Sequence, residues 1–139
     1  MNTDLIDIKI RAVEGGVTAA AGFKAAGIHA GFRKNPERLD YALVVPDKPC
    51  PGAGVFTTNR FCAAPVQVSR ANLGGADKGY GIIAGVSINS GNANAATGET
   101  GLACARETCN IASQVIGCEP QQILVASTGV IGQILPIRS

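Results

Sequence analysis

The chain has 139 residues, a net charge of +2, 16% charged residues and 4% aromatic residues, and its length is enough for one domain with a modest core. Because the sequence has no basic run to follow phosphates and few aromatic rings to stack on bases, we expect no nucleic-acid partner. No apolar stretch reaches the roughly 18 to 20 residues that span a bilayer, so we expect no membrane partner either.

The N-terminus and the cysteines favour a cytoplasmic location. Asp4 and Asp7 lie near the start, and no apolar or Arg-rich targeting segment accompanies them, so we expect neither a signal nor a transit peptide. An odd number of cysteines without a secretory signal favours reduced thiols. Cys104 and Cys109 do not share a face well on a predicted helix, and His29 is the only histidine, so we expect no metal site.

The sequence pattern of the first half of the chain predicts mostly strands. Apolar and charged residues alternate over 6–12, which is typical of a half-buried strand. Residues 17–32 are rich in Ala and Gly and fit neither the helical nor the strand pattern of apolar residues. They are predicted to be irregular with strand pieces. The later predictions are a polar turn at 34–38, strands at 41–45, 53–57 and 66–69, and a loop at 47–54.

Two polar side chains in this half allow a functional and a simpler interpretation. His29 is either a general base or a residue packed among Ala and Gly. Arg60 either binds a substrate carboxylate bidentately or is a solvated loop arginine. We favour the simpler interpretation for both. A Ser-His-Asp triad is not expected, because such a nucleophile needs a base and the single histidine is poorly placed.

The second half predicts one clear helix between two buried strands. The first strand is predicted at 81–89, after a polar connection at 71–78, and the second at 123–126. Between them, apolar residues recur at helical spacing over 102–116, and Gly117 follows as a C-cap. Because the order of elements is not a regular strand-helix-strand repeat, it predicts an α/β fold with antiparallel or mixed pairing.

Small polar residues follow each of these two strands. Residues 89–98 read Asn-Ser-Gly-Asn-Ala-Asn-Ala-Ala-Thr-Gly, and residues 127–132 read Ser-Thr-Gly-Val-Ile-Gly. Loops at the ends of buried strands are where open α/β folds place their chemistry. Asn92 and Asn94 either bind substrate or satisfy backbone groups, and we favour the second role. Thr128 and Gly129 either form a tight turn or supply two donors to an oxyanion.

These two stretches resemble the ornithine acetyltransferase family, also called glutamate N-acetyltransferase. Further matches are Gly-Val-Thr-Ala at 16–19, Gly-Phe at 22–23, Val-Phe-Thr-Thr-Asn at 55–59 and Ala-Ala-Pro-Val at 63–66. The resemblance therefore runs over nearly the whole chain. It implies a four-layer α-β-β-α arrangement, with helices outside two stacked mixed sheets. Residues 1–139 are then expected to be a single partial domain, the N-terminal part of the family's α chain.

The resemblance also implies an activity and two site residues. Enzymes of this family move an acetyl group from N2-acetylornithine to glutamate in arginine biosynthesis, and some also acetylate glutamate from acetyl-CoA. Thr128 and Gly129 match the Thr-Gly of the family's oxyanion hole. The resemblance assigns no substrate-binding residue within this chain, and it implies no metal and no bound cofactor.

The resemblance places the nucleophile outside this chain. The family's precursor cleaves itself at an Ala-Thr bond downstream of the Ser-Thr-Gly-Val-Ile-Gly motif, and the new N-terminal Thr carries the acetyl group. We therefore expect this chain alone to be inactive. We expect it to act with the β chain of the same precursor, in a heterotetramer of two α and two β chains. The alternatives are a self-cleaving aminopeptidase or amide hydrolase of related architecture, and a truncated chain without catalytic function.

Overall fold

The structure is a computed structural model, and it describes residues 10–75 and 77–137. Its first half contains a 3₁₀ helix (Gly16–Ala19), β1 (Phe23–Ile28), β2 (Tyr41–Pro46), β3 (Cys50–Ala53) and α1 (Ala64–Asn72). Its second half contains β4 (Tyr80–Ile83), β5 (Gly85–Asn92), α2 (Gly98–Ile116), a 3₁₀ helix (Pro120–Gln122) and β6 (Ile123–Val130).

The main sheet has four strands in the order β1-β2-β5-β6. β1 pairs with β2 and β2 with β5 in antiparallel fashion, whereas β5 and β6 are parallel. A parallel pair needs a long crossover, and α2 supplies it between β5 and β6. β3 and β4 form a separate antiparallel pair. The prediction of an α/β fold with mixed sheets is confirmed.

Both helices pack on one face of the main sheet and form the core with β6. The core is made of small and medium-sized apolar side chains, which let helix and sheet approach closely. Its buried members are Ala64, Val68, Ala105, Cys109, Ala112, Ile123 and Val125. The described residues thus contain one helical layer against one face of a sheet.

The predicted helix and its C-cap are confirmed. α2 begins at Gly98, four residues before the predicted start, and Glu99 in its first turn complements the positive end of the helix dipole. Gly117 adopts the left-handed conformation with φ 81°, and its N–H donates to the Ser113 carbonyl at 2.8 Å. Only a residue that tolerates positive φ ends a helix in this way at low cost.

The predicted strand at 66–69 is wrong, because these residues lie in α1. Val66 and Val68 favour a strand by local preference, but Pro65 in the first turn starts a helix without losing a needed N–H. Packing of Ala64 and Val68 into the core then decides the outcome. The predicted strand at 53–57 is also wrong, since β3 ends at Ala53 and occupies part of the predicted loop at 47–54.

The apolar run predicted as one strand at 81–89 is two strands in two sheets. It breaks at Ala84, whose N–H donates to the Gln122 carbonyl at 2.8 Å instead of joining a ladder. Gly85 lets the chain pass against the helix, because a Cβ there would lie 2.7 Å from Cδ1 of Ile116. An uninterrupted apolar run carries no signal for such a break, so the prediction failed there.

The remaining predictions have mixed outcomes. The strand at 41–45 and the turn at 34–38 are confirmed, and the irregular stretch 17–32 contains β1 as its strand piece. The strand predicted at 123–126 continues to Val130. Of the strand predicted at 6–12, residues 6–9 lie outside the described residues, and residues 10–12 are not in a strand.

Side chains of α1 cover the outer edge of β6. The Ser69 hydroxyl donates to the Val125 carbonyl at 2.8 Å and accepts from the Val125 N–H at 2.9 Å. Asn72 donates through Nδ2 to the Ile123 carbonyl at 2.7 Å. Two polar side chains therefore satisfy backbone groups that a fifth strand would otherwise pair with, which protects an exposed sheet edge.

We expect Ser69→Ala to destabilise the protein by about 1 to 3 kcal/mol, because it leaves both backbone groups of Val125 buried and unpaired. The matched control is Ser113→Ala, since Ser113 is equally buried but bonds only to the Asn110 carbonyl of its own helix. Urea unfolding of the two variants measures the difference. Equal losses of stability would contradict the role given to Ser69.

Candidate active site

Thr128 and Gly129 lie among the last residues of strand β6, not in a loop. Because β5 and β6 are parallel neighbours, their carboxyl ends meet at one edge of the sheet. The register pairs Ser90 with Thr128 and Gly91 with Gly129. The two polar stretches recognised in the sequence therefore lie side by side, and their first residues are strand residues.

Gly129 is required by the closeness of the two strands at this point. It has φ 135°, which favours glycine, and a Cβ built on it would overlap the carbonyl carbon of Gly91. On its other side Gly91 is equally crowded, because a Cβ there would lie 2.8 Å from the Phe32 carbonyl oxygen. Three backbone segments thus pack directly on one another beside Thr128.

The Thr128 side chain lies on the sheet face that the helices leave open. Ile123 and Val125 face the helices and are buried, and side chains on a strand alternate between faces. Leu124, Ala126 and Thr128 therefore share the opposite face. Thr128 is exposed there in the part of the chain that the structure describes.

Asn92, the last residue of β5, and Asn94 just beyond it bind the protein's own backbone. Asn92 donates through Nδ2 to the carbonyls of Gln133 and Ile134, each at 3.2 Å, and its Oδ1 accepts from the Asn94 N–H at 2.8 Å. Asn94 donates through Nδ2 to the Gly101 carbonyl at 2.8 Å. These contacts agree with the scaffold role favoured for both residues.

A buried carboxylate organises the loop before β2. Asp40 is 2% exposed, and its two oxygens accept from the N–H groups of Ala30 at 2.6 Å and Arg33 at 2.7 Å. Burial alone would raise the pKa of Asp40, but these backbone hydrogen bonds and the nearby His29 imidazole lower it below its ordinary value. The carboxylate is therefore ionised and holds the loop closed.

Arg33, which this loop carries, contacts the end of β5. It donates through Nε at 3.2 Å and Nη2 at 2.6 Å to the hydroxyl of Ser90, the register partner of Thr128. Arg33, Asp40 and Ser90 were not predicted as site residues from the sequence. A polar residue directly before a predicted strand, as Asp40 is, was the only available signal, because the pairing of Arg33 with Ser90 spans 57 positions.

Among the described residues, neither His29 nor Arg60 makes a recorded contact with Thr128. The Nδ1 atom of His29 lies 3.1 Å from the Arg38 carbonyl and 3.3 Å from the Asp40 carboxylate, so the imidazole is engaged in the loop. Arg60 lines a small cavity of about 160 Å³ at the start of the two α-helices, with Gln67, Thr97 and Glu99. Its role as a carboxylate ligand stays untested.

A larger apolar cleft lies on the helix-covered face, the face opposite the one that carries Thr128. It encloses about 720 Å³, and Ile28, Leu43 and Val115 are among its lining residues. The hydroxyls of Tyr41 and Thr108, which also line it, are bonded to Ser87 and to the Cys104 carbonyl. We assign no chemistry to this cleft, because apolar surface alone does not define a site.

The cysteines are thiols. All five lie within the described residues and none is in a disulfide. Burial raises the pKa of Cys109 to about 11, so this thiol is protonated and unreactive at neutral pH. Within residues 10–75 and 77–137 no group of three or more His, Cys, Asp or Glu side chains is arranged to hold a metal ion. No helix in those ranges is long and apolar enough to cross a membrane.

The family model described as the ArgJ family matches residues 24–139. The chain belongs to the ArgJ family. It is 46% identical over 125 residues to the arginine biosynthesis bifunctional protein ArgJ of Dehalococcoides mccartyi, covering 89% of this chain and 30% of that protein. The protein of the same name from Bifidobacterium longum is 49% identical over 122 residues, covering 87% and 30%. The chain thus spans about a third of these relatives' length.

Solved structures of the ArgJ family share the fold. ArgJ of Bacillus halodurans superposes with a TM-score of 0.78 at 36% identity, over 88% of this chain and 61% of that one. An ornithine acetyltransferase from Mycobacterium tuberculosis, solved with ornithine, superposes with a TM-score of 0.75 at 39% identity, over 87% and 63%. The ArgJ fold inferred from the motifs is confirmed, for the part of it that this chain contains.

We expect Gly129→Ala to destabilise the protein by about 2 to 6 kcal/mol, because it adds backbone strain to an overlap with Gly91. Gly132→Ala is the matched control, since Gly132 also has a positive φ, 81°, but has open space around it. That control should cost only about 1 to 2 kcal/mol. Chemical denaturation measures the free energy of unfolding of both variants. An equal loss in the two would show that the close contact between β5 and β6 does not require glycine at position 129.

We expect Asp40→Asn to cost about 1.5 to 3 kcal/mol at pH 7, because it weakens hydrogen bonds to a charged acceptor. The pKa of Asp40 is lower in the folded state, so its stabilisation is present above the unfolded value and is lost as pH falls through the folded value. The difference between wild type and variant should therefore shrink below about pH 4. Urea unfolding from pH 3 to pH 7 measures it, and a constant difference would contradict this account.

Proposed function

We propose that the chain supplies the oxyanion-binding part of an acetyltransferase of arginine biosynthesis. The reaction moves an acetyl group from N2-acetylornithine to glutamate. The observation that carries the proposal is the position of Thr128 and Gly129, on an exposed strand end held by tight backbone packing. The names of the ArgJ relatives and the ornithine bound in the Mycobacterium tuberculosis structure support the substrate class.

Two possible donors lie on neighbouring residues of β6. The Thr128 hydroxyl lies on the open face of the sheet. The backbone groups of Val125 point to the outer edge of β6, and strand alternation directs the Gly129 N–H to that same edge. The absence of a side chain at Gly129 leaves its N–H accessible. Donors fixed before the reaction stabilise developing negative charge without reorganising, which is the basis of an oxyanion hole.

The proposed chemistry has two steps with the same intermediate geometry. A Thr hydroxyl from the β chain attacks the acetyl carbonyl of N2-acetylornithine, loses its proton to the adjacent amine, and the tetrahedral oxyanion collapses to release ornithine with that proton. The neutral amino group of glutamate then attacks the acetyl-Thr ester. Its proton passes through the same amine to the Thr oxygen, which leaves as the hydroxyl as N-acetylglutamate is released. Both oxyanions would bind at Thr128 and Gly129. Acetyl-CoA is a second acyl donor under this proposal, and no metal or bound cofactor is needed.

The proposal includes a shared active site. This chain would pair with the β chain of its precursor in a heterotetramer of two α and two β chains, located in the cytoplasm. The chain alone would have no acetyltransferase activity, since the recorded partners of His29 are Arg38 and Asp40 and no Ser or Thr hydroxyl among the described residues is hydrogen-bonded to its imidazole. Acetyl transfer at an ordinary enzymatic rate by the purified chain would refute this point.

In a full-length enzyme containing this chain, we expect Thr128→Ala to lower kcat by about 10² to 10³, which is the cost of one oxyanion donor. KM should change much less, because the charge exists only in the transition state. Thr128→Ser keeps the hydroxyl and should retain most of the rate. Steady-state kinetics with N2-acetylornithine and glutamate test this, with melting curves to exclude misfolding. An unchanged kcat in Thr128→Ala would refute the assignment.

A further inference from the structure

We propose that Arg33 and Ser90 bind the α-carboxylate of the amino-acid substrate. This inference rests on the function proposed above, and it assigns to this chain a substrate-binding pair in addition to the oxyanion donors. Four observations carry it: the contact between the two side chains, the charge of Arg33, the position of Ser90, and the rigidity of the loop that holds Arg33.

The contact leaves both side chains with unused donors. Arg33 Nε and Nη2 both donate to Ser90 Oγ, at 3.2 and 2.6 Å. A hydroxyl has two acceptor lone pairs and one proton, so Ser90 accepts from Arg33 and keeps its proton to donate elsewhere. A guanidinium has five N–H donors, and Ser90 takes two of them. The pair therefore presents several donors and no acceptor.

The charge of Arg33 has no carboxylate partner among the described residues. Glu37 and Asp40 are the acidic residues of this loop. No salt bridge between Glu37 and Arg33 is found among the described residues, and the Asp40 oxygens accept from the N–H groups of Ala30 and Arg33 and lie beside His29. In the described part of the chain, Lys24 forms a salt bridge with Asp47, and the His29 imidazole lies against the Asp40 carboxylate. A half-buried guanidinium without a carboxylate is suited to bind a carboxylate from a ligand.

The position of Ser90 fits the geometry of an amino acid undergoing acyl transfer. Ser90 and Thr128 are register partners, and the alternation of burial along β5 and β6 places both on the open face. Neighbouring strands lie about 4.8 Å apart. In both N2-acetylornithine and glutamate the α-carboxylate is two bonds from the reacting nitrogen. A carboxylate receptor is therefore needed about one strand away from the oxyanion donors.

The loop that carries Arg33 is fixed from two sides. Asp40 holds the N–H groups of Ala30 and Arg33, and the Asp40 carbonyl accepts from the Ser90 N–H at 2.8 Å. On the sheet side, the Phe32 carbonyl and the Arg33 Cγ atom pack against Gly91, where a Cβ would lie 2.8 and 3.0 Å away. Binding groups that are held in place before the substrate arrives lose little entropy when it binds.

The test compares glutamate with its α-amide as acetyl acceptors, in a full-length enzyme containing this chain. We expect wild type to prefer glutamate by about 10- to 100-fold in kcat/KM, because this is the preference that a hydrogen bond to a charged group typically contributes. Arg33→Met should reduce this preference to about threefold or less, mainly by raising KM for glutamate, whereas Arg33→Lys should keep part of it. Lys34→Met is the matched control, because it removes an exposed charge from the neighbouring position and should preserve the preference.

The comparison separates binding from support of the fold. If Arg33 only held the end of β5 in place, Arg33→Met would lower the rates with both acceptors equally, and an unchanged preference would overturn the inference. Ser90→Ala gives a second, smaller loss of preference that does not depend on the stability of Arg33→Met. If wild type transferred no acetyl group to glutamate, the proposed function would be wrong, and this inference with it. An active wild type whose preference survives Arg33→Met would overturn the carboxylate receptor alone.

Discussion

The close approach of Gly91 and Gly129 is the constraint on which the rest of the site depends. No side chain fits between the ends of β5 and β6, so two backbones meet directly where parallel strands end. That contact sets Ser90 beside Thr128. A larger residue at either position would separate the strands and spread the donors apart.

Polar side chains, rather than regular ladders, hold the segments that surround this contact. Asp40 closes the loop before β2, and Asn92 and Asn94 bind carbonyls and amides on both sides of the strand ends. Each of these three side chains is almost fully buried, and none of their buried polar atoms lacks a hydrogen-bond partner. A buried polar network is stable only when every member is satisfied, and such a network specifies one geometry. This explains how irregular segments can position Arg33 and Thr128 accurately.

Under the proposed function, the arrangement separates two tasks of an acyl-transfer site. The described residues offer donors, from Thr128, Gly129, Ser90 and Arg33, and their one histidine is committed to a structural loop. Groups that stabilise negative charge can be placed on a rigid strand end, whereas a nucleophile also needs a base beside it. The ArgJ relatives are about three times as long as this chain, and our proposal assigns the nucleophile to that additional length.

The sequence by itself determined the α/β class, the helix α2 with its glycine cap, and the family of the chain, whose motif includes Thr128 and Gly129. These features can be predicted from local signals: helical spacing, a positive-φ position and ordered short motifs. Tertiary structure alone decided that residues 66–69 are helical, that one apolar run is divided between two sheets at Ala84, and that Arg33 meets Ser90. The reason is physical, since each of these outcomes depends on packing or hydrogen bonding with residues far away in the chain, and local preference carries no information about such partners.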